Sequence, residues 1–223
     1  MVTQAWKTLA PVIALFFGIA ILLVGNGLQG TLLAVRGTLE NLTTNELGVI
    51  QSSYFLGFVA GSLVCTRMIE RAGHIRTFAA LASIASAAAL AHLLIIDTLA
   101  WSVFRAVTGF CFAGLYMAIE SWLNAATANK VRGEVFSVYM AVNLLALSLG
   151  QFLFTTADPA GYVLFCLVSV IISLALVPVA MTRSVAPVIT RVERAPLRKL
   201  YEVSPLGVFG CAVYGLAMSA FWA

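Results

Sequence analysis

Residues 99–123 read LAWSVFRAVTGFCFAGLYMAIESWL, from Leu99 to Leu123, and hold one cation, Arg105, and one acid, Glu120. A hydrocarbon core about 30 Å thick takes roughly 20 apolar residues of helix. A barrel strand would instead alternate apolar and polar positions over about ten residues. The run is continuously apolar and too long for such a strand, so it predicts a transmembrane helix. Working outward with the same window gives Pro11–Val35, Val49–Thr66 and Thr77–Ile96 before it, and Val135–Phe154, Tyr162–Met181 and Pro205–Ala223 after it. The breaks carry turn and charge signals at Arg36–Gly37, Glu70–Gly73, Asn129–Gly133 and Asp158–Pro159. The first run is longer than the 7–15 residues usual in a signal peptide and lacks a small-residue cleavage site, so it reads as an uncleaved helix.

Composition agrees with the spans. The 223 residues are 61% hydrophobic and 10% charged, with mean hydropathy +1.00, against about 45–50% and about 25% in soluble domains. A solvent-exposed enzyme, a nucleic-acid binder and a disordered chain are excluded. The expected fold is an all-α integral membrane protein with the lipid bilayer as its solvent. The pI near 9.0 has a topological cause. With the N-terminus in the cytoplasm, the inner segments hold Lys7, Arg67, Arg71, Arg76, Lys130, Arg132, Arg183, Arg191, Arg194, Arg198 and Lys199. The outer loops hold Arg36 alone, beside Glu40, Glu46, Asp97 and Asp158. This bias predicts an N-terminus inside.

A shift of 85 positions aligns Thr77–Ile96 with Tyr162–Met181, and Gly48, Ser52 and Tyr54 with Gly133, Ser137 and Tyr139. The pattern G-x-x-x-S-x-Y thus opens the second helix of each set of three. Because a set has an odd number of helices, the second lies inverted relative to the first, an architecture of secondary transporters. The expected plan is a six-helix bundle over residues 1–181, with repeats at about 11–96 and 99–181. A cytoplasmic linker follows over 182–204, then a seventh helix over 205–223. The linker carries Pro187 and Pro196 and five positive charges. It is either a hinge between bundles or a solvated loop held at the anionic inner leaflet. The seventh helix stops at Trp222–Ala223 with no polar flank, which predicts that the sequence is cut at this point.

The six-plus-linker plan, the positive loop after the second helix, and four local strings resemble the N-terminal half of a major facilitator superfamily (MFS) transporter. The strings are Gly48–Phe55, Ala72–Arg76, Ile119–Trp122 and Leu149–Gln151, and they are similar to the bacterial YcaD-like branch. The resemblance runs over essentially the whole chain. It implies two six-helix bundles around a central cavity open alternately to each side, in a bacterial inner membrane. One bundle and part of a seventh helix are present.

The loop after the second span matches the superfamily pattern G-x-x-x-D-R-x-G-R-R only in part. Arg71 and Gly73 fall in place and Arg76 follows, whereas Thr66 replaces the leading glycine, Glu70 the aspartate and His74–Ile75 the basic pair. Gly73 as a tight turn and Glu70/Arg71 as a charge cluster supply what gating requires; the plainer reading is an ordinary basic turn. Arg105 with Gly109 resembles the motif R-x-x-x-G, whose Arg the family links to proton or substrate coupling. An Arg in mid-helix costs roughly 2.5–3.5 kcal/mol on insertion scales and usually faces a cavity or partner; otherwise it snorkels to the interface.

Glu120 lies fifteen residues from Arg105, about 22 Å along the helix and about 60° around it. Three readings stand: a charge relay with Arg67, Arg71 or Arg132, a carboxylate that carries the coupling proton, or an idle interfacial acid. Asn26 and Gln29 share a face of the first helix among Gly25, Gly27 and Gly30. By the resemblance the first and fourth helices line the cavity, which makes Asn26, Gln29 and Tyr116 candidates for substrate contact. Helix packing in lipid explains them equally. Asn143 and Gln151 share a face of the fifth helix, with bundle-internal hydrogen bonds as the alternative. That helix lacks the Gly-Pro signature of drug/proton antiporters.

The four cysteines are dispersed, His74 sits in a loop and His92 in a helix, and neither set has metal-ligand spacing. No Walker loop occurs. Neither metal nor cofactor is expected, and no nucleic-acid partner. A retinal protein would need a lysine in the last helix, and an intramembrane enzyme a buried nucleophile with its base; neither is present. The expected function is a secondary active transporter, not an enzyme, moving a small solute by alternating access with proton coupling as one option. This chain would supply about half, completed by a C-terminal bundle or a second chain. A seven-helix receptor-like protein is the alternative.

Overall fold

The computed structural model describes residues 2–181 and 197–222, with side chains from Ile13 onward except at 197, 216 and 218–222. Its helices are α1 (Val2–Leu39), α2 (Thr44–Ala72), α3 (His74–Leu94), α4 (Thr98–Ala126) and α5 (Arg132–Leu153), which runs into a 3-10 turn at Phe154–Thr156. Then come α6 (Val163–Leu174), α7 (Leu176–Ala180), α8 (Leu197–Val203) and α9 (Pro205–Trp222). No strand occurs among the described residues. Six segments are long and apolar enough to cross a membrane, and they coincide with the first six spans read from the sequence.

The boundaries shift for local reasons. α2 starts at Thr44, before the Val49 expected, because Thr43 and Glu46 close a capping box. The Thr43 amide donates to Glu46 Oε2 at 2.8 Å and the Glu46 amide to Thr43 Oγ1 at 3.3 Å, pairing two donors that a helix start leaves free. α4 starts on Asp97, whose carboxylate accepts from the amides of Leu99 and Ala100. The sixth span is interrupted at Ala175, between α6 and α7. Pro178 has no N–H to give the Leu174 carbonyl. His74, expected in a loop, is the first residue of α3. One residue, Gly73, joins α2 to α3 at φ +83°, a left-handed angle that side-chain-bearing residues avoid.

α2 packs on α4, α1 on α5 and α6, and α3 between α4 and α6. Exchanging α1, α2 and α3 for α4, α5 and α6 returns the same set of pairings, the relation that the 85-residue shift anticipates. Small residues make the two closest pairs. A Cβ at Gly57 would run into the Ala106 carbonyl and one at Gly109 into that of Tyr54. Gly27 meets the Leu147 carbonyl and Gly150 that of Val24 in the same way. Hydrophobic transfer does not drive helices together in lipid, so such approach supplies the packing. Leu15, Ile19 and Leu22 of α1 join Phe78 and Leu81 of α3, Phe112 of α4 and Phe165 of α6 in one apolar core. The least covered spans are α2 and α5, with 22% and 17% of their membrane windows buried against 39–56% elsewhere.

The chain divides into two compact units, 1–187 and 188–223. In the second, Arg198 and Glu202 pair at 3.1 Å along α8, and the Ser204 side chain accepts from the Gly207 amide at the start of α9. The linker expected over 182–204 falls outside the described residues from 182 to 196; its last part is α8 and Ser204.

Candidate functional site

Gly109 sits against the backbone of Tyr54 and so brings α2 onto α4. One turn earlier on α4, Arg105 therefore meets the side chain of Tyr54. Its guanidinium carbon lies 4.7 Å from the Tyr54 ring centroid, in the geometry of a cation–π contact. The physical sense of R-x-x-x-G in this chain follows directly: the glycine admits the neighbouring helix and the arginine lands on that helix's aromatic ring.

Arg105 is 7% exposed, which is not the placement of a side chain snorkelling to the interface. Its Nε and Nη1 are buried with no hydrogen-bond partner, and no carboxylate forms an ion pair with it among the described residues. A cation–π contact is worth about 0.5–2 kcal/mol, less than the usual cost of a buried, unpaired charge. Asn26 of α1 lies near the Tyr54 hydroxyl, so α1, α2 and α4 converge here. His92 of α3 approaches from another side, with its ring 5.3 Å from that of Phe104 and within electrostatic range of Arg105. Its Nδ1 bonds the Ala88 carbonyl at 2.7 Å, and its Nε2 is buried without a partner.

A second polar group lies further along α4. The Tyr139 hydroxyl donates to Glu120 Oε1 at 2.9 Å, and Asn143, one turn along α5, lies near the same hydroxyl with its own Oδ1 buried and without a partner. Glu120 makes no ion pair with Arg67, Arg71 or Arg132, the first of its three readings; its partner is the phenol of Tyr139. Tyr116 stands between the two groups, packed on Phe58 and Phe112 and in electrostatic range of Tyr54, Tyr139 and Glu120. The structure thus gathers Asn26 and Arg105 around Tyr54, and Asn143 and Glu120 around Tyr139. Gln29 is buried, and neither polar atom of its amide finds a partner.

The gating candidates are arranged otherwise. Glu70, Arg71 and Arg76 are exposed and form no ion pair among the described residues, so the expected charge cluster is not made here. Gly73 does provide the turn. What docks it is His74, 3% exposed, whose Nε2 lies 2.9 Å from Ser121 Oγ and whose ring packs on Trp122. At the opposite end Arg36 pairs with Glu40 at 2.6 Å and donates to the carbonyls of Pro159 and Ala160, tying α1 to the loop before α6.

Sequence reasoning missed Tyr54, Tyr139 and His74 as site residues. The two tyrosines were visible as the repeated position of G-x-x-x-S-x-Y. Their equivalence was the signal, since each ends beside one of the two charges of α4.

Six apolar helices enclosing a buried arginine and a carboxylate define a multi-pass membrane protein. The chain matches the Major Facilitator Superfamily over residues 15–223 and belongs to that family, one of membrane transporters and not of enzymes. It is 25% identical over 214 residues to the uncharacterised MFS-type transporter YcaD of Escherichia fergusonii, which covers 95% of this chain and 56% of the relative. An uncharacterised MFS-type transporter of Enterobacter sp. (strain 638) is 26% identical and YcaD of Escherichia coli K12 27%, each over 215 residues with the same coverage. The chain spans about half the length of these relatives. Family membership sets aside the receptor-like alternative.

Proposed function

We propose that this chain forms the first bundle of a secondary active transporter of the bacterial inner membrane, with its N-terminus in the cytoplasm. It moves a small solute by alternating access. The observation that carries this reading is Arg105: a buried cation with unused donors, held on Tyr54 where three helices converge. Intramembrane ionisable groups of this kind mark solute and ion pathways. The open faces of α2 and α5 support a second bundle lying against them, from further sequence or a second chain. A shallow depression on α2 lined by Thr44, Gly48, Ser52 and Leu56 belongs to that face.

Glu120 carries the coupling proton in this reading. It is half-buried, has no cation beside it, and exchanges hydrogen bonds with Tyr139 rather than holding a permanent ion pair. The turn at Gly73, docked through His74 on α4, stabilises one of the two orientations. Arg105→Ala in the protein as its host makes it is expected to abolish solute flux in proteoliposomes while membrane insertion persists. Normal flux through that variant would remove Arg105 from the mechanism.

A further inference from the structure

Arg105 presents five N–H donors on a planar fork, and its buried Nε and Nη1 meet no hydrogen-bond acceptor among the described residues. The acids on the packed helices are engaged or distant. Glu46 accepts from Thr43 and, at 2.9 Å, from Thr98 Oγ1. Asp97 caps α4, and Glu120 takes the Tyr139 hydroxyl. Glu40 is paired with Arg36, Asp158 accepts from the Ala160 amide, and Glu202 is paired with Arg198. Glu70 and Glu134 are exposed on the far ends of α2 and α5. The counter-charge of Arg105 is therefore not one of these carboxylates.

We propose that Arg105, Tyr54 and Asn26 form an anion subsite, and that the transported solute carries a carboxylate or phosphate group that docks on the Arg105 guanidinium. This deepens, and rests on, the transport reading above. Arginine matches both groups because two parallel N–H donors fit two oxygens of one anion. Tyr54 holds the guanidinium against its π face, and Nε and Nη1 are left without an acceptor of the protein's own. Asn26, near the Tyr54 hydroxyl, brings an amide to the same point from α1. The partnerless His92 Nε2 provides an acceptor near Arg105, suited to a solute that also bears a hydroxyl or a proton. An anion in place neutralises this buried cation, so the loaded bundle closes around the site more readily than the empty one.

Ligand-observed NMR on the detergent-extracted protein tests this assignment, with benzoate and inorganic phosphate as anion probes and benzamide as the neutral isostere of benzoate. The expected result is binding of at least one anion, with no binding of benzamide at the same concentration. Benzoate alone assigns a carboxylate solute, phosphate alone a phosphoryl one, and either supports the subsite. Arg105→Gln is expected to weaken binding at least tenfold and Arg105→Lys to weaken it less. Arg36→Gln, at the α1 end, should leave it unchanged. Equal binding of benzamide, binding undiminished in a folded Arg105→Gln protein, or no binding of either anion overturns the proposal. The benzamide comparison needs no variant, so misfolding of Arg105→Gln leaves the test intact. Anion binding without flux of any solute would leave the subsite standing and remove the transport reading; flux of neutral solutes with no anion binding would do the reverse.

Discussion

Tyr139→Phe deletes one oxygen and keeps the ring that packs on Phe16 and Phe136. What is lost is the hydrogen bond at 2.9 Å to Glu120, in surroundings where Tyr139 is 1% exposed. Hydrogen bonds to a charged group are worth about 1.5–3 kcal/mol and neutral ones about 0.5–1.5 kcal/mol. With Glu120 ionised, the substitution should cost about 1.5–3 kcal/mol, roughly a ten- to hundredfold shift in the unfolding equilibrium. In a Glu120→Gln background the bond is between neutral groups, and the same substitution should cost about 0.5–1.5 kcal/mol. Reversible unfolding in mixed micelles of rising SDS fraction, run as a double-mutant cycle, reads the difference as a coupling energy. A Tyr139→Phe cost that is the same in both backgrounds would refute the pairing and the place given to Glu120.

Three further outcomes follow from the packing. Gly109→Leu should lose more stability than the 1–3 kcal/mol or so typical of overpacking, because backbone rather than a movable side chain stands in the way, whereas Gly30→Ala, with open space around it, should change little; the same SDS titration separates them. Gly73→Ala should cost about 1–3 kcal/mol, because its backbone (φ +83°, ψ +166°) lies in a region that essentially only glycine adopts, against almost nothing for Gly48→Ala, and should change the ratio of the two orientations in spin-label distance measurements. His74→Ala should leave the fold intact but free the α2–α3 turn from α4, read as faster amide exchange at residues 72–76 than in the unaltered protein.

The fold was legible because membrane-spanning helices advertise themselves locally. Residues 99–123 need no knowledge of their neighbours to read as a span. Boundaries were less so: Thr43 and Glu46 look like loop residues until their mutual capping is seen, and Pro178 breaks a span whose hydropathy is continuous. At the site, Arg105 stood out by its cost in lipid, but its partner did not. Tyr54 lies fifty-one residues earlier, and the glycines that place it there act across two helices. Glu120 illustrates the same limit. Depth along a helix can be counted from sequence, whereas the neighbour it faces depends on how α5 rotates, which brings Tyr139 to it and leaves the loop arginines away. His74 read as a gap in a basic motif because a buried imidazole and an exposed one have the same letter.

Alternating access at the Arg105 site is the central claim, and sided labelling of one cysteine tests it most directly. With Cys65, Cys111, Cys166 and Cys211 replaced, Asn26→Cys places a thiol beside Tyr54 in the protein as its host makes it. A membrane-impermeant thiol reagent, applied from one side at a time to oriented vesicles, reports which side reaches that position. Labelling from both sides in turn is expected, with the balance moved by an imposed proton gradient. Labelling from one side under every condition would contradict the claim.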